Sequence, residues 1–301
     1  MSLITALPGA AAQGLIWGIM ATGVYITFRI LDIADLTVDG TLCTGGAVCI
    51  MMMLSGHNVW VSMLVATGAG LLAGLATGIF HTFMGIPAIL AGILTQLSLY
   101  SVNLKIMGKA NQAINVDKFN LLVSLRRVKG VALTQNTLFI VAIMIIILIA
   151  VLYWFFGTEL GCSLRATGCN PSMSRAQGIN TDRNKVLGLM LSNGLVALSG
   201  ALLTQYQGFA DINMGRGSIV IGLAAVIIGE AIFSRIFRNF ALKLLSVVFG
   251  SILYYLVLQI VIWMGIDTDL LKMLSALVVA FFLAFPYWKG KYFTKAKQGG
   301  K

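Results

Sequence analysis

The sequence predicts an all-α membrane protein of about nine transmembrane helices, and three observations carry that expectation. Of the 301 residues, 58% are hydrophobic and only 10% are charged, whereas a soluble domain carries about 25% charged residues. Residues 2–28 contain no Asp, Glu, Lys or Arg, and the run from Gly40 to Leu104 is again free of them. A membrane span needs about 20 apolar residues, so these runs hold one span and three. Glycine is abundant, 33 against 4 prolines, which suits helices packed closely through small residues.

Taken in order, residues 2–28 give the first span. The next three are separated by the turn signals Ser55-Gly56-His57-Asn58 and Gly85-Ile86-Pro87. A polar loop, 105–130, follows, and the fifth span lies within Val131–Thr158. A basic loop, 157–186, precedes the remaining four spans, Val186–Gln207, Gly217–Ser234, Leu244–Met264 and Leu270–Tyr287. A basic tail, 288–301, closes a single transmembrane domain of 1–301. The start has no basic n-region and its apolar run outlasts an h-region, so no cleavable signal is expected.

Basic residues orient the chain. An outside N-terminus puts Arg29, Arg165, Arg175, Arg183, Lys185, Arg235, Arg238, Lys243 and five tail lysines inside, 13 of the 21. The opposite orientation leaves eight inside, so the excess of inside positive charge favours N-out and C-in. The outside loop with Lys105, Lys109, Lys118, Arg126, Arg127 and Lys129 breaks that rule.

Within the basic loop, GCSLRATGCNPSMSRAQGIN (161–180) encodes a short helix. Asn170 is a good N-cap and Pro171 occupies the first helical position, where proline is favoured. Ser172 to Gln177 make nearly two turns, and Gly178 supplies the left-handed end. So short a helix is unstable alone and needs a partner surface, in its own chain or in another protein.

Polar residues inside the spans are the next signal. Gln96, Tyr100 and Asn103 in LTQLSLYSVNL recur at i, i+4 and i+7 and share one helix face. Polar groups in hydrocarbon are costly unless paired or facing a cavity, so the stripe lines a polar pathway or glues helices together. Asn193 and Gln205 raise the same question. Glu230 stands in an apolar context and either pairs with Arg235 or Arg238 or acts as a proton-coupling carboxylate. A faint internal repeat aligns GTLCTGGAVCI (40–50) with GSIVIGLAAVI (217–227), each preceded by an Asp, Asp35 and Asp211. Five spans separate the copies, so they run in opposite directions, a pattern typical of transporters.

Several classes find no support. His57 and His81 stand alone, Cys43, Cys49, Cys162 and Cys169 have no metal spacing, and no nucleotide, zinc or serine-nucleophile motif occurs. No catalytic residue, metal or cofactor is expected. The net charge of +11 points to anionic membrane lipid and not to nucleic acid.

The loop also resembles a known family. Gly161, Arg165, Ala166, Gly168, Asn170, Pro171, Arg175, Gly178 and Ile179 match the pattern G-x-x-x-R-A-x-G-x-N-P-x-x-A-R-x-x-G-I of ABC-importer permeases of the branched-chain amino-acid and ribose type, with Ser174 in place of an alanine. DLTVDGT (35–41), LYSVNLKIMGKAN (99–111), VIIGEAIF (226–233) and DLLKMLSALVV (269–279) resemble the subgroup paired with tryptophan/tyrosine-type lipoprotein binding proteins. The resemblance implies a fold similar to the cobalamin-importer permease without its first helix, and a bacterial cytoplasmic-membrane location. It also implies that the loop is the coupling helix docking on a cytoplasmic ATPase. Two permease subunits, two ATPase subunits and an extracytoplasmic binding lipoprotein would form the importer, with amino acids, aromatic ones included, as substrates. An ion-coupled secondary transporter is the competing class, and a membrane enzyme a third.

Overall fold

The computed structural model describes residues 3–116, 119, 121–128, 136–233, 237, 239–264 and scattered positions between 270 and 284. The expected ninth span, Leu270–Tyr287, lies largely outside the described residues, and the tail 288–301 lies wholly outside them.

Helix α1 (Leu3–Tyr25) runs into one π-helical turn, Ile26–Ile30. Helices α2 (Val38–Leu54), α3 (Val59–Thr82) and α4 (Ala88–Met107) follow, broken at the two turn signals expected. Gly56 and Gly85 both have positive φ there. Helix α5 is Thr137–Gly157, and the basic loop holds α6 (Glu159–Cys169) and α7 (Pro171–Ala176). Helices α8 (Thr181–Gln207), α9 (Ser218–Phe233) and α10 (Phe240–Trp263) follow among the described residues. Strands β1 (Asn111–Ala113) and β2 (Phe209–Asp211), each just past the glycine that ends α4 or α8, pair antiparallel. Among the described residues six helices are long and apolar enough to cross a membrane, while α2 and α9 are apolar but shorter. The chain is thus a mostly helical, multi-pass membrane protein.

The centre of the bundle is the antiparallel pair α1 and α8, stitched by side chains seven residues apart. Ser192, Ser199 and Tyr206 hydroxyls donate to the carbonyls of Gly23 (2.8 Å), Ile16 (2.8 Å) and Gly9 (3.1 Å). Helix α8 also packs against α3, and α1 against α10, where Ser251 donates to the Gly14 carbonyl at 2.7 Å. Close approach between α2 and α8 depends on glycine. A Cβ on Gly45 would collide with the Ala197 backbone, and one on Gly200 with the Leu42 carbonyl. In hydrocarbon, such backbone proximity lets van der Waals contact and serine hydrogen bonds hold helices that hydrophobicity alone would not.

Candidate functional site

Helix α2 starts inside the bundle and not at its edge. After α1, residues 31–37 double back, and the buried Asp35 fixes the turn by accepting from the Thr37 N–H (2.9 Å) and from Asn193 Nδ2 (2.7 Å). Asn193, near the middle of α8, also accepts from the Thr41 hydroxyl at 2.7 Å and donates to the Leu189 carbonyl at 3.0 Å. A hydroxyl chain extends the network across α3 to α4: Thr37 to Thr77 at 2.7 Å, Thr77 to Thr95 at 2.9 Å. Every one of these groups is buried. Left unpaired, each would cost about 1–3 kcal/mol, so the network holds the doubled-back segment in place.

Helix α9 starts at a similar depth, next to the start of α2. The Asp39 carboxylate accepts from the Gly217 N–H at 2.9 Å, the Ser218 hydroxyl at 2.9 Å and the Ile219 N–H at 3.0 Å. A carboxylate from the first turn of α2 thereby caps the N-terminus of α9, where unpaired N–H groups and the helix dipole favour negative charge. Ahead of α9, Asp211 Oδ1 accepts from the Asn213 N–H at 2.7 Å, the same two-residue turn that Asp35 makes with Thr37.

Beside this junction lies a hollow of about 250 Å³ lined by Asp39, Gly40, Cys43, Gln96, Leu97, Tyr100, Asn103, Ile212 and Arg216. All three residues of the α4 stripe, Gln96, Tyr100 and Asn103, meet there. Asn103 is 1% exposed; its Nδ2 donates to the Gly40 carbonyl at 3.3 Å, and its buried Oδ1 has no partner among the described residues. Arg216 is exposed and its guanidinium makes no hydrogen bond or ion pair among the described residues.

Two sequence candidates do not join the hollow. Asn193 is consumed by the buried network just described. Gln205, 1% exposed, accepts from the Leu122 N–H at 3.3 Å and faces Cys49 Sγ at 3.6 Å, tying the 105–130 loop to α8. Both are bonds between parts of the chain, a fate that polarity alone could not distinguish from lining a cavity. Glu230 pairs with Arg29, on the π-helical turn, at 2.9 Å. The expected partners Arg235 and Arg238 lie outside the described residues. Arg216 carried no sequence signal beyond being a charge beside an apolar run, and Asp39 none beyond its place in the segment DLTVDGT (35–41).

The basic loop forms the second polar feature. Asn170 Oδ1 accepts from the Met173 N–H at 3.0 Å, Pro171 opens α7, and Gly178 ends it at φ 80°. Ser174 is buried and donates to the Asn170 carbonyl at 3.0 Å, while Pro171, Ser172, Met173, Arg175 and Ala176 are exposed. Arg175 Nε donates to the Thr181 hydroxyl at 2.9 Å, which ties α7 to the start of α8. The remaining motif residues sit on α6 or past α7. Gly161 lies on the Phe155–Phe156 backbone, and Gly168 on the Ile30 carbonyl of the π-helical turn. The Arg165 guanidinium stands 5.5 Å from the Phe240 ring centroid, Ala166 accepts the Asn170 N–H, and Ile179 closes the loop on Ser174. The nine motif residues therefore divide: some shape α7, others seat α6 against the end of α5, the π-helical turn and Phe240 at the start of α10.

The model for the family "branched-chain amino acid transport system / permease component" matches residues 7–283. The chain belongs to that family. A tyrosine transport system permease of Clostridioides difficile (strain R20291) is 38% identical over 272 residues, 90% of this chain and 88% of the relative. An uncharacterised protein of Rickettsia prowazekii (strain Madrid E) is 38% identical over 281 residues, 92% of this chain and 95% of the relative. A fructose import permease of Bifidobacterium longum (strain NCC 2705) is 26% identical over 278 residues, 92% and 75% of the two chains. No solved structure matches. As a member of this permease family the chain is the membrane component of an ABC importer and not an enzyme, and ATP hydrolysis resides in a separate subunit. Its transporter includes ATPase and binding-protein partners.

Proposed function

We propose that the chain forms the translocation pathway for an amino acid, aromatic ones included, in an importer with two copies of this permease. Two cytoplasmic ATPase subunits drive it, and an extracytoplasmic lipoprotein delivers the solute. The observation that carries this reading is the polar hollow beside the junction of α2 and α9, with Gln96, Tyr100 and Asn103 on its wall. A solute crossing hydrocarbon needs polar groups at mid-depth that are not spent on the protein itself. Full-length similarity to a tyrosine transport permease supports an aromatic substrate.

In this reading α7 is the coupling helix. It is preformed by its caps and exposes most of its surface, so an ATPase cleft can receive it at low ordering cost. An inverted repeat accords with the matching Asp turns and with α1 meeting α10 as α8 meets α3; the reading adds nine spans, with the N-terminus outside and the C-terminus inside. The basic 105–130 loop would then face the binding protein, where complementary charge steers encounter.

The test is uptake of labelled L-tyrosine and other amino acids into vesicles holding the permease, its ATPase and its binding protein. ATP-driven uptake insensitive to uncouplers is expected. Uptake that follows an ion gradient without ATP would replace this reading with a secondary transporter.

A further inference from the structure

The hollow holds two unspent polar groups of opposite character. Asn103 Oδ1 is a buried acceptor without a donor, and in native proteins such atoms are rare because each costs about 1–3 kcal/mol. Arg216 is a cation without a partner among the described residues, on the segment that leads into α9. The one acid on the wall, Asp39, does not answer either of them. Both of its oxygens are engaged by α9, through Gly217, Ser218 and Ile219. The α9 N-terminus is likewise already satisfied by Asp39 and has no call on a further anion.

What remains is a demand for a donor at Asn103 and an anion at Arg216 within one hollow of about 250 Å³. We propose that this hollow is a specificity site that reads the zwitterion of an α-amino acid. The carboxylate is held by Arg216, the ammonium donates to Asn103 Oδ1, and the side chain lies along Leu97 and Tyr100. Guanidinium and carboxylate form a charge-assisted pair with two parallel hydrogen bonds, and the ammonium supplies the donor that the asparagine lacks. Recognition here rests on the proposal that the hollow is the pathway, and it adds which ends of the solute are read. Leu97 and Tyr100 line the hollow and are exposed, so side-chain selection is loose while the amino-acid ends are selected tightly. Phe209, Ala210 and Asp211 of β2 lead directly into Ile212 on its wall.

The experiment uses the purified permease–ATPase complex without binding protein, so that the soluble component's own selectivity does not enter. Thermal stabilisation is titrated with L-phenylalanine, phenethylamine, which lacks the carboxylate, and 3-phenylpropionate, which lacks the amine. The wild-type complex should respond to L-phenylalanine at concentrations where neither analogue acts. Arg216→Gln should raise the L-phenylalanine requirement by roughly tenfold or more, leaving the phenethylamine response unchanged, and Arg216→Lys should restore part of the loss. Asn103→Leu should weaken L-phenylalanine but not 3-phenylpropionate, with size-exclusion elution showing that the complex still assembles. Equal loss for all three compounds in Arg216→Gln, or an unchanged L-phenylalanine titration, would overturn the proposal. If the intact importer takes up amino acids while the wild-type complex responds equally to the three compounds, the zwitterion site falls and the pathway reading stands. If vesicles import no amino acid, both fall.

Discussion

The loop helix α7 and the junction of α2 with α9 are both polar features, yet they are built in opposite ways. Helix α7 is made by its own neighbours: Asn170 bonds Met173, Pro171 opens it and Gly178 ends it, all within nine residues. The junction is made by partners far apart in the chain, Asp39 with Gly217 to Ile219 and Asp35 with Asn193. Local bonds preform an element that faces outward and can meet a partner. Long-range bonds fix an element that faces inward, and leave over only the groups that no other part of the chain can use. In the proposed function, a coupling surface and a solute pathway place those two different demands on one chain.

The difference can be broken most sharply at Asp39. Asp39→Ala removes the acceptor for two N–H groups and one hydroxyl at the start of α9. Loss of a charged cap at a helix terminus should cost about 2–4 kcal/mol, read as a lowered melting temperature in detergent, with Asp39→Asn recovering part of it. At α7 the expected effect is functional and smaller in stability. Gly178→Val forces a β-branched residue to φ 80°, a strain of about 1–2 kcal/mol. The variant should still insert in the membrane but lose ATPase co-purification and stimulated hydrolysis. The smallest effect should come from Glu230→Gln. The Arg29 partner is 58% exposed, and exposed pairs contribute about 0–1 kcal/mol, so melting should shift little.

The proposed orientation puts the two regions at different depths and is tested by labelling. Cys162 and Cys169 are exposed on α6, and Asn115 is exposed in the loop between α4 and α5. Membrane-impermeant thiol reagents should reach the native pair only from the cytoplasmic side, and a cysteine at position 115 only from outside. The reverse pattern in intact cells would invert the topology.

How much was readable follows the same division. The positions of the six long described helices were legible because a charge-free run and a turn signal are local facts, and α3 and α4 begin and end close to where the turns predict. The ends of α7 were legible for the same reason. The Gln96, Tyr100 and Asn103 stripe was legible as a face, but letters could not say whether that face met a cavity. Asn193 and Gln205 look the same in sequence and went the other way, because Asp35, Thr41 and Leu122 consume them. The heptad of Ser192, Ser199 and Tyr206 was present in the letters, but its targets are backbone carbonyls of α1, which carry no sequence signature. The π-helical turn and the strand pair depend on tertiary packing and left no periodic trace.

The central claim is that the junction hollow carries the solute while α7 carries the coupling, and one paired measurement tests it. Uptake of labelled L-tyrosine and ATP hydrolysis stimulated by the loaded binding protein are followed in the same reconstituted vesicles for Gln96→Leu and Arg175→Glu. Arg175 is exposed on α7, and Gln96 lines the hollow. Gln96→Leu should lose uptake while stimulated hydrolysis persists, and Arg175→Glu should lose both together. Wild-type uptake in Gln96→Leu, or full stimulated hydrolysis in Arg175→Glu, would contradict the division of labour.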